Sequence, residues 1–92
     1  MFVAICYDIS NDRTRRLIAK WLEAYGERVQ KSTFECRISE EQLMAIKSKL
    51  RDVCLAEGDL IRFYIMCKTC RDRVEFIGGK APCTQVPGHL VL

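Results

Sequence analysis

The chain begins with FVAICYD, residues 2–8, apolar until its last position, and then changes rhythm. A run this short and this rich in β-forming residues predicts a strand. Strand alternation puts Val3, Ile5 and Tyr7 on one face and Phe2, Ala4, Cys6 and Asp8 on the other. Ser10 and Asn11 are both good helix N-caps, and behind them Leu17, Ile18, Trp21, Leu22 and Tyr25 recur at helical spacing. Gly26 is read as the residue that closes this helix. Residues 27–38, ERVQKSTFECRI, read as extended. They fit either a short hairpin or one kinked strand, with the bend at Lys31–Ser32. The segment has no Asn-Gly or Asp-Gly, which disfavours a tight two-residue turn.

Ser39-Glu40-Glu41-Gln42 has the spacing of a capping box. Leu43, Ile46, Leu50, Val53 and Cys54 then mark the buried stripe of a second helix, ended by Gly58. DLIRFYIMC, residues 59–67, predicts another strand, CKTCRDR a connecting loop, and VEFIGG, residues 74–79, a further strand. Pro82, Pro87 and Gly88 precede a terminal HLVL that could add a strand to a sheet edge, its own or a partner's. The pattern divides into a domain over 1–79 and an arm over 80–92.

This order predicts an α+β fold, with two helices on one face of a four- to five-stranded sheet. Strands 2–8 and 60–67 read as apolar on both faces, so the second face needs a cover. Another copy of the same sheet supplies one, which predicts a twofold homodimer through that face. A 92-residue chain is one domain with a modest core, and dimerisation would help it.

Composition adds little until it is placed on these elements. Hydrophobic residues are 49% and charged ones 29%, as in a globular protein. No run approaches the ~20 apolar residues of a membrane span, and the start lacks a signal-peptide pattern, so a cytoplasmic location is expected. Net charge is only +3, but it is uneven. Arg13, Arg15, Arg16, Lys20, Arg28 and Lys31 crowd residues 12–31, whereas Glu40, Glu41, Asp52, Glu57 and Asp59 gather later. Arg13, Arg16 and Lys20 are spaced by three and four and form a basic stripe on the first helix, with Arg15 off it. Such a stripe suits a polyanion, or is a solvated helix face.

Asp8 ends the first strand just before a helix N-terminus. It serves either as a charge favourable to the helix dipole or a turn cap, or as a metal ligand or general base. One carboxylate holds Mg²⁺ poorly, but a twofold dimer could bring two copies of Asp8 together. Such a site could act on a phosphodiester. Tyr7, Phe34 and Tyr64 could stack on bases, or be core or dimer contacts. Cys67-Lys68-Thr69-Cys70 is a single CxxC. It is half of a zinc site for Cys36 or Cys83 to complete, a redox pair, or a loop of free thiols. Cys6 and Cys54 read as small core residues. His89 lies in the tail, and Gly78-Gly79 leads into no helix, so neither marks a site.

YDIS at 7–10, NDRTRRL at 11–17, YGERVQKSTFEC at 25–36 and the late VEFIGG together resemble the CRISPR-associated protein two family, the small partner in the CRISPR adaptation module. The match runs in order over about residues 2–79. It implies a ferredoxin-like α+β fold with a mainly antiparallel sheet, a homodimer, and a metal-dependent endonuclease using Mg²⁺ or Mn²⁺. Asp8 from each protomer would meet near the dimer axis. The family's basic positions fall on Arg13, Arg15, Arg16 and Arg28. Single-stranded RNA and double-stranded DNA are the implied substrates, and the larger CRISPR integrase subunit the implied partner. The alternative role is a non-catalytic DNA-binding scaffold bridging integrase subunits. Thr33 stands where the family usually has an apolar residue, and the basic cluster is slightly shifted.

Overall fold

The computed structural model describes residues 1–53, 55–77 and 90–91. Its elements run β1 (Phe2–Asp8), α1 (Asp12–Leu22), β2 (Gly26–Gln30), β3 (Thr33–Arg37), α2 (Glu40–Arg51), β4 (Leu60–Met66), α3 (Lys68–Asp72), β5 (Glu75–Phe76) and β6 (Leu90–Val91). The first six make a βαββαβ unit. Its four strands lie in the order β2-β3-β1-β4, and each neighbouring pair is antiparallel. This is the ferredoxin-like arrangement.

Alternation along β1 works as the sequence predicts. Val3, Ile5 and Tyr7 are buried on the helix side, with Phe34 and Cys36 of β3 beside them. Ile18, Ala19 and Leu22 of α1 and Leu43, Ile46 and Leu50 of α2 close over them. Full burial of each large apolar side chain is worth about 1.5–3 kcal/mol, so this single layer supplies most of the stability. Trp21, Leu22 and Tyr25 meet Ile46, Lys49 and Leu50 across a narrow seam, where the Lys49 ammonium lies 4.4 Å from the Trp21 ring centroid. Leu17, expected on the buried stripe, is 42% exposed because the inward face of α1 centres on Ile18 and Leu22.

Asn11 is the N-cap of α1, its side chain accepting from the Thr14 N–H at 3.0 Å. The capping box of α2 forms as predicted. Ser39 Oγ accepts from the Gln42 N–H at 3.1 Å, and Gln42 Oε1 accepts from the Ser39 N–H at 2.9 Å.

Three expectations change. Gly26 does not close α1, which ends at Leu22; it opens β2. A Cβ there would sit 2.3 Å from the Glu35 carbonyl oxygen and 2.7 Å from Cys36 Sγ, so the glycine serves a close approach of β2 to β3. Gly58 does not end α2, which stops at Arg51; it takes φ +88° in the turn before β4. CKTCRDR is not wholly a loop, since Lys68–Asp72 form the short helix α3.

Residues 27–38 resolve as a hairpin. Gln30 pairs with Thr33 across a two-residue turn at Lys31–Ser32, with a register shift between Arg28 and Gln30. The Arg28 guanidinium donates twice to the Lys31 carbonyl, at 3.0 and 2.6 Å. A side chain thus holds the turn that Asn-Gly would otherwise favour.

The sheet face away from the helices is mixed rather than apolar. It carries Phe2, Ala4, Cys6 and Asp8 from β1, Leu60, Arg62, Tyr64 and Met66 from β4, and Thr33, Glu35 and Arg37 from β3. β6 pairs in parallel with β5 of the same chain. Cys54, Gly78, Gly79, Pro82, Cys83, Pro87, Gly88 and His89 lie outside the described residues.

Candidate active site

Asp8 is exposed at the last position of β1, pointing to the open sheet face. The residues around it are firmly anchored. Tyr7 before it and Ile9 after it are both buried. The Tyr7 N–H donates to the Ser32 carbonyl at 3.0 Å, which ties the end of β1 to the hairpin turn. On the other side, Asp59 accepts from the Ser10 N–H and the Ala56 N–H, both at 3.0 Å. These two donors hold the Asp59 carboxyl below the usual carboxylate range, the Ala56 bond being the larger cause. Asp59 is therefore a brace for the loop that follows Asp8. Sequence reasoning counted it only among scattered acids, because its partner is a backbone group 49 residues away.

Asp8 lines a shallow depression of about 260 Å³ with Cys6, Tyr7, Ser32, Thr33, Leu60, Arg62 and Tyr64. Among the described residues its carboxylate has no ion-pair or hydrogen-bond partner. Arg62 donates to the Tyr64 hydroxyl at 3.0 Å. Sequence reasoning did not single out Arg62. Strand alternation places it on one face with Leu60 and Tyr64, but only the pairing of Cys6 with Arg62 brings that face to Asp8.

The donor set suits half of a hard-cation site. Asp8 contributes one carboxylate, and no group of three or more His, Cys, Asp or Glu side chains converges among the described residues. Mg²⁺ is commonly held by one or two carboxylates with several waters retained, so Asp8 alone is the minimum of that set and a second copy would complete it.

The basic residues fall into two groups. Arg13, Arg16 and Lys20 are exposed on α1, and Lys31 is exposed at the hairpin turn. Arg15 is half-buried, donates to the Ile9 carbonyl at 2.9 Å, and pairs with Asp12. Arg28 is engaged with the Lys31 carbonyl and lies 6.0 Å from the Phe34 ring centroid. Arg15 and Arg28 thus have structural work, whereas the other four present free charge.

Tyr7 and Phe34, candidates for base stacking or dimer contact, stack on each other in the core with ring centroids 6.4 Å apart. They are 4% and 0% exposed, so neither offers a face to a base or a partner. The Tyr7 hydroxyl is buried without a hydrogen-bond partner among the described residues, and that burial raises its pKa, with the nearby Arg28 charge opposing. Tyr64, 45% exposed beside Asp8, is the aromatic that remains accessible.

A four-stranded antiparallel sheet in the order β2-β3-β1-β4, ending its first strand on an exposed acid with a basic helix directly behind it, places the chain among the small ferredoxin-like α+β proteins. The comparisons narrow it. The family model described as CRISPR associated protein Cas2 matches residues 1–74. The chain is 45% identical over 83 residues to the CRISPR-associated endoribonuclease Cas2 1 of Chloroflexus aurantiacus, covering 89% of each chain. It superposes on the crystal structure of Streptococcus pyogenes Cas2 with a TM-score of 0.74 and 35% identity, over 85% of this chain and 100% of that one. A chain of a partial Cas6-RT-Cas1–Cas2 complex matches with a TM-score of 0.60 and 30% identity, over 92% of this chain and 98% of that one. The chain belongs to the Cas2 family of CRISPR-associated nucleases. No described helix is long and apolar enough to cross a membrane.

Proposed function

We propose that the chain acts in the cytoplasm as a homodimeric endonuclease of the CRISPR system, hydrolysing phosphodiester bonds of single-stranded RNA or double-stranded DNA during spacer acquisition and defence. The observation that carries this reading is the exposed, unpartnered Asp8 carboxylate at the rigid end of β1. Two copies of Asp8, one from each protomer, would hold Mg²⁺ or Mn²⁺. The cation, when bound, supplies Lewis acidity toward the phosphate and toward water. Arg13, Arg16, Lys20 and Lys31 position the nucleic-acid backbone without reading its sequence. Two like charges brought together repel, so a cation between them would stabilise the dimer centre.

A second reading has specific support in the likeness to a chain of a Cas1–Cas2 assembly. Here the same dimer binds duplex DNA and bridges copies of the larger integrase subunit without cutting. Cleavage and binding of labelled single-stranded RNA and duplex DNA, measured together with Mg²⁺, Mn²⁺ or a chelator, separate the two. The nuclease reading expects Asp8→Asn to cut cleavage to background while duplex binding stays. Duplex binding by wild type with no cleavage under either cation would favour the scaffold.

A further inference from the structure

We propose that Cys67 and Cys70 form a redox-active dithiol that closes to an intramolecular disulfide by exchange with a small disulfide of the glutathione class. The pair lies where β4 passes into α3. Leu60 pairs with Asp8 at one end of β4 and Met66 with Phe2 at the other, so the thiols stand about 20 Å along the strand from Asp8. This site does not depend on the nuclease reading.

The local geometry brings the two sulfurs onto one turn. Cys67 has an extended backbone, φ −74° and ψ 171°, and acts as the N-cap of α3. Its Sγ accepts from the Cys70 N–H at 3.5 Å, so it lies back over the turn that carries Cys70. A disulfide needs Cβ atoms about 3.5–4.5 Å apart, and with Cys67 Sγ already in hydrogen-bond contact with the Cys70 backbone, bringing the pair together is a local adjustment of a five-residue helix at an exposed edge. Both thiols are exposed, unlike Cys36, which is buried, and Cys6, which is half-buried beside the Thr33 hydroxyl.

The roles are unequal. The Cys67 thiol is held below its usual pKa, chiefly by the Cys70 N–H and then by the Cys70 thiol, which donate to its sulfur. Cys70 is raised, first because its thiol is the donor in that bond and then by the charge on Cys67. Because the Cys67 sulfur is the one that accepts the Cys70 N–H, a donor that stabilises a thiolate there, Cys67 is the attacking thiolate and Cys70 the resolving thiol. Cys67 Sγ⁻ attacks one sulfur of the disulfide, whose S–S bond breaks, and the departing thiolate takes up a proton. Cys70 then loses its proton and attacks Cys67 Sγ, forming the intramolecular bond and expelling the second thiolate. Two protein thiols are oxidised, and one small disulfide is reduced to two thiols. In a reducing compartment the closed form is transient and reversible rather than structural.

Mass spectrometry tests the proposal on the full chain equilibrated with reduced and oxidised glutathione, followed by thiol blocking and trypsin digestion. Closure joins the peptides Phe63–Lys68 and Thr69–Arg71 with the loss of two hydrogens, reversibly with the glutathione ratio. In Cys67→Ser the joined species is absent. In Cys70→Ser the mixed disulfide with glutathione at Cys67 accumulates several-fold above wild type, because nothing resolves it. A merely structural cap would not produce that accumulation. The proposal is overturned if mixed disulfide accumulates equally in wild type and Cys70→Ser. It is equally overturned if neither thiol oxidises at any ratio, or if either pairs instead with another cysteine.

Discussion

Replacing Arg13, Arg16 and Lys20 together by Gln separates charge from structure on α1. All three side chains are exposed, and among the described residues none holds an ion pair or a hydrogen bond. Gln keeps a good helix propensity, so the triple variant should stay within about 1 kcal/mol of wild-type stability. Its effect on nucleic-acid binding is larger and has a distinctive form. Each phosphate contact adds about 0.9 to the slope of log affinity against log salt on duplex DNA. Three contacts add about 2.7, so raising salt from about 50 to 200 mM should weaken wild type roughly 40-fold more than the variant. Fluorescence anisotropy with one labelled duplex over that salt range measures both slopes. Arg15→Gln is the control with the opposite profile. It breaks the bond to the Ile9 carbonyl and the pair with Asp12, which should lower stability by about 1 kcal/mol. Parallel slopes for wild type and the triple variant would refute the assignment of these three residues to phosphate contact. A triple variant that unfolds would refute the description of them as free charge.

Gly26→Ala should destabilise the fold by about 1–3 kcal/mol in chemical denaturation, because its Cβ meets the Glu35 backbone and Cys36 rather than a yielding side-chain tip. A neutral result would mean that β2 can move away from β3. Asp59→Ala should lower the melting temperature at neutral pH and increase hydrogen exchange at Ser10 and Ala56, the amides it accepts from. Because the folded-state pKa of Asp59 lies below its unfolded value, its contribution is fully present above the ordinary carboxylate range and is lost as pH falls through the lowered folded value. The gap between wild type and Asp59→Ala should therefore close in acid; a gap that is the same at neutral and acid pH would show that the carboxylate charge is not what braces the loop.

The strongly periodic elements are legible from the chain alone because their signals are local. β1 shows its alternation, and α2 shows both its stripe and its Ser39/Gln42 capping box. The failures share a physical cause, which is that contacts distant in sequence or unusual in chemistry decided the outcome. Gly26 matches a helix stop, yet its role is set by β3, a neighbour that local rules do not see. The hairpin turn has no favoured dipeptide because Arg28 holds it through the Lys31 carbonyl. α3 is capped by a sulfur, Cys67 Sγ, where the capping rules look for oxygen. At the candidate site Asp8 stands out in the sequence because a carboxylate ending an apolar strand is conspicuous. Arg62 is not legible there because only strand pairing brings it beside Asp8, and the role of Asp59 is not because it is set by the Ser10 amide, 49 residues away.

The way β1 ends bears on whether two acids could share one cation. Asp8 is a single outward residue between two inward ones, Tyr7 and Ile9, and the backbone on either side is tied down at Ser32 and Asp59. Its carboxylate is therefore placed by the sheet and not by a mobile loop. In a dimer formed through the open faces, the separation of the two acids would follow from sheet packing. Packed sheets lie about 10 Å apart, and an aspartate reaches roughly 3 Å from its Cα, so two opposed carboxylates would face each other across about 4 Å. Two carboxylates that close would be the donor set for one hard cation, which would keep water in its other positions. At this end of the open face Cys6, Thr33, Leu60 and the Arg62–Tyr64 pair surround the acid, so a partner sheet would meet a mixed polar and apolar rim there. An edge-to-edge dimer along β4 would leave the two carboxylates on a continuous surface, separated by strand spacings instead of facing each other, and no single ion could span them. The mode of association, more than any further residue within one chain, therefore determines whether Asp8 can do hydrolytic chemistry.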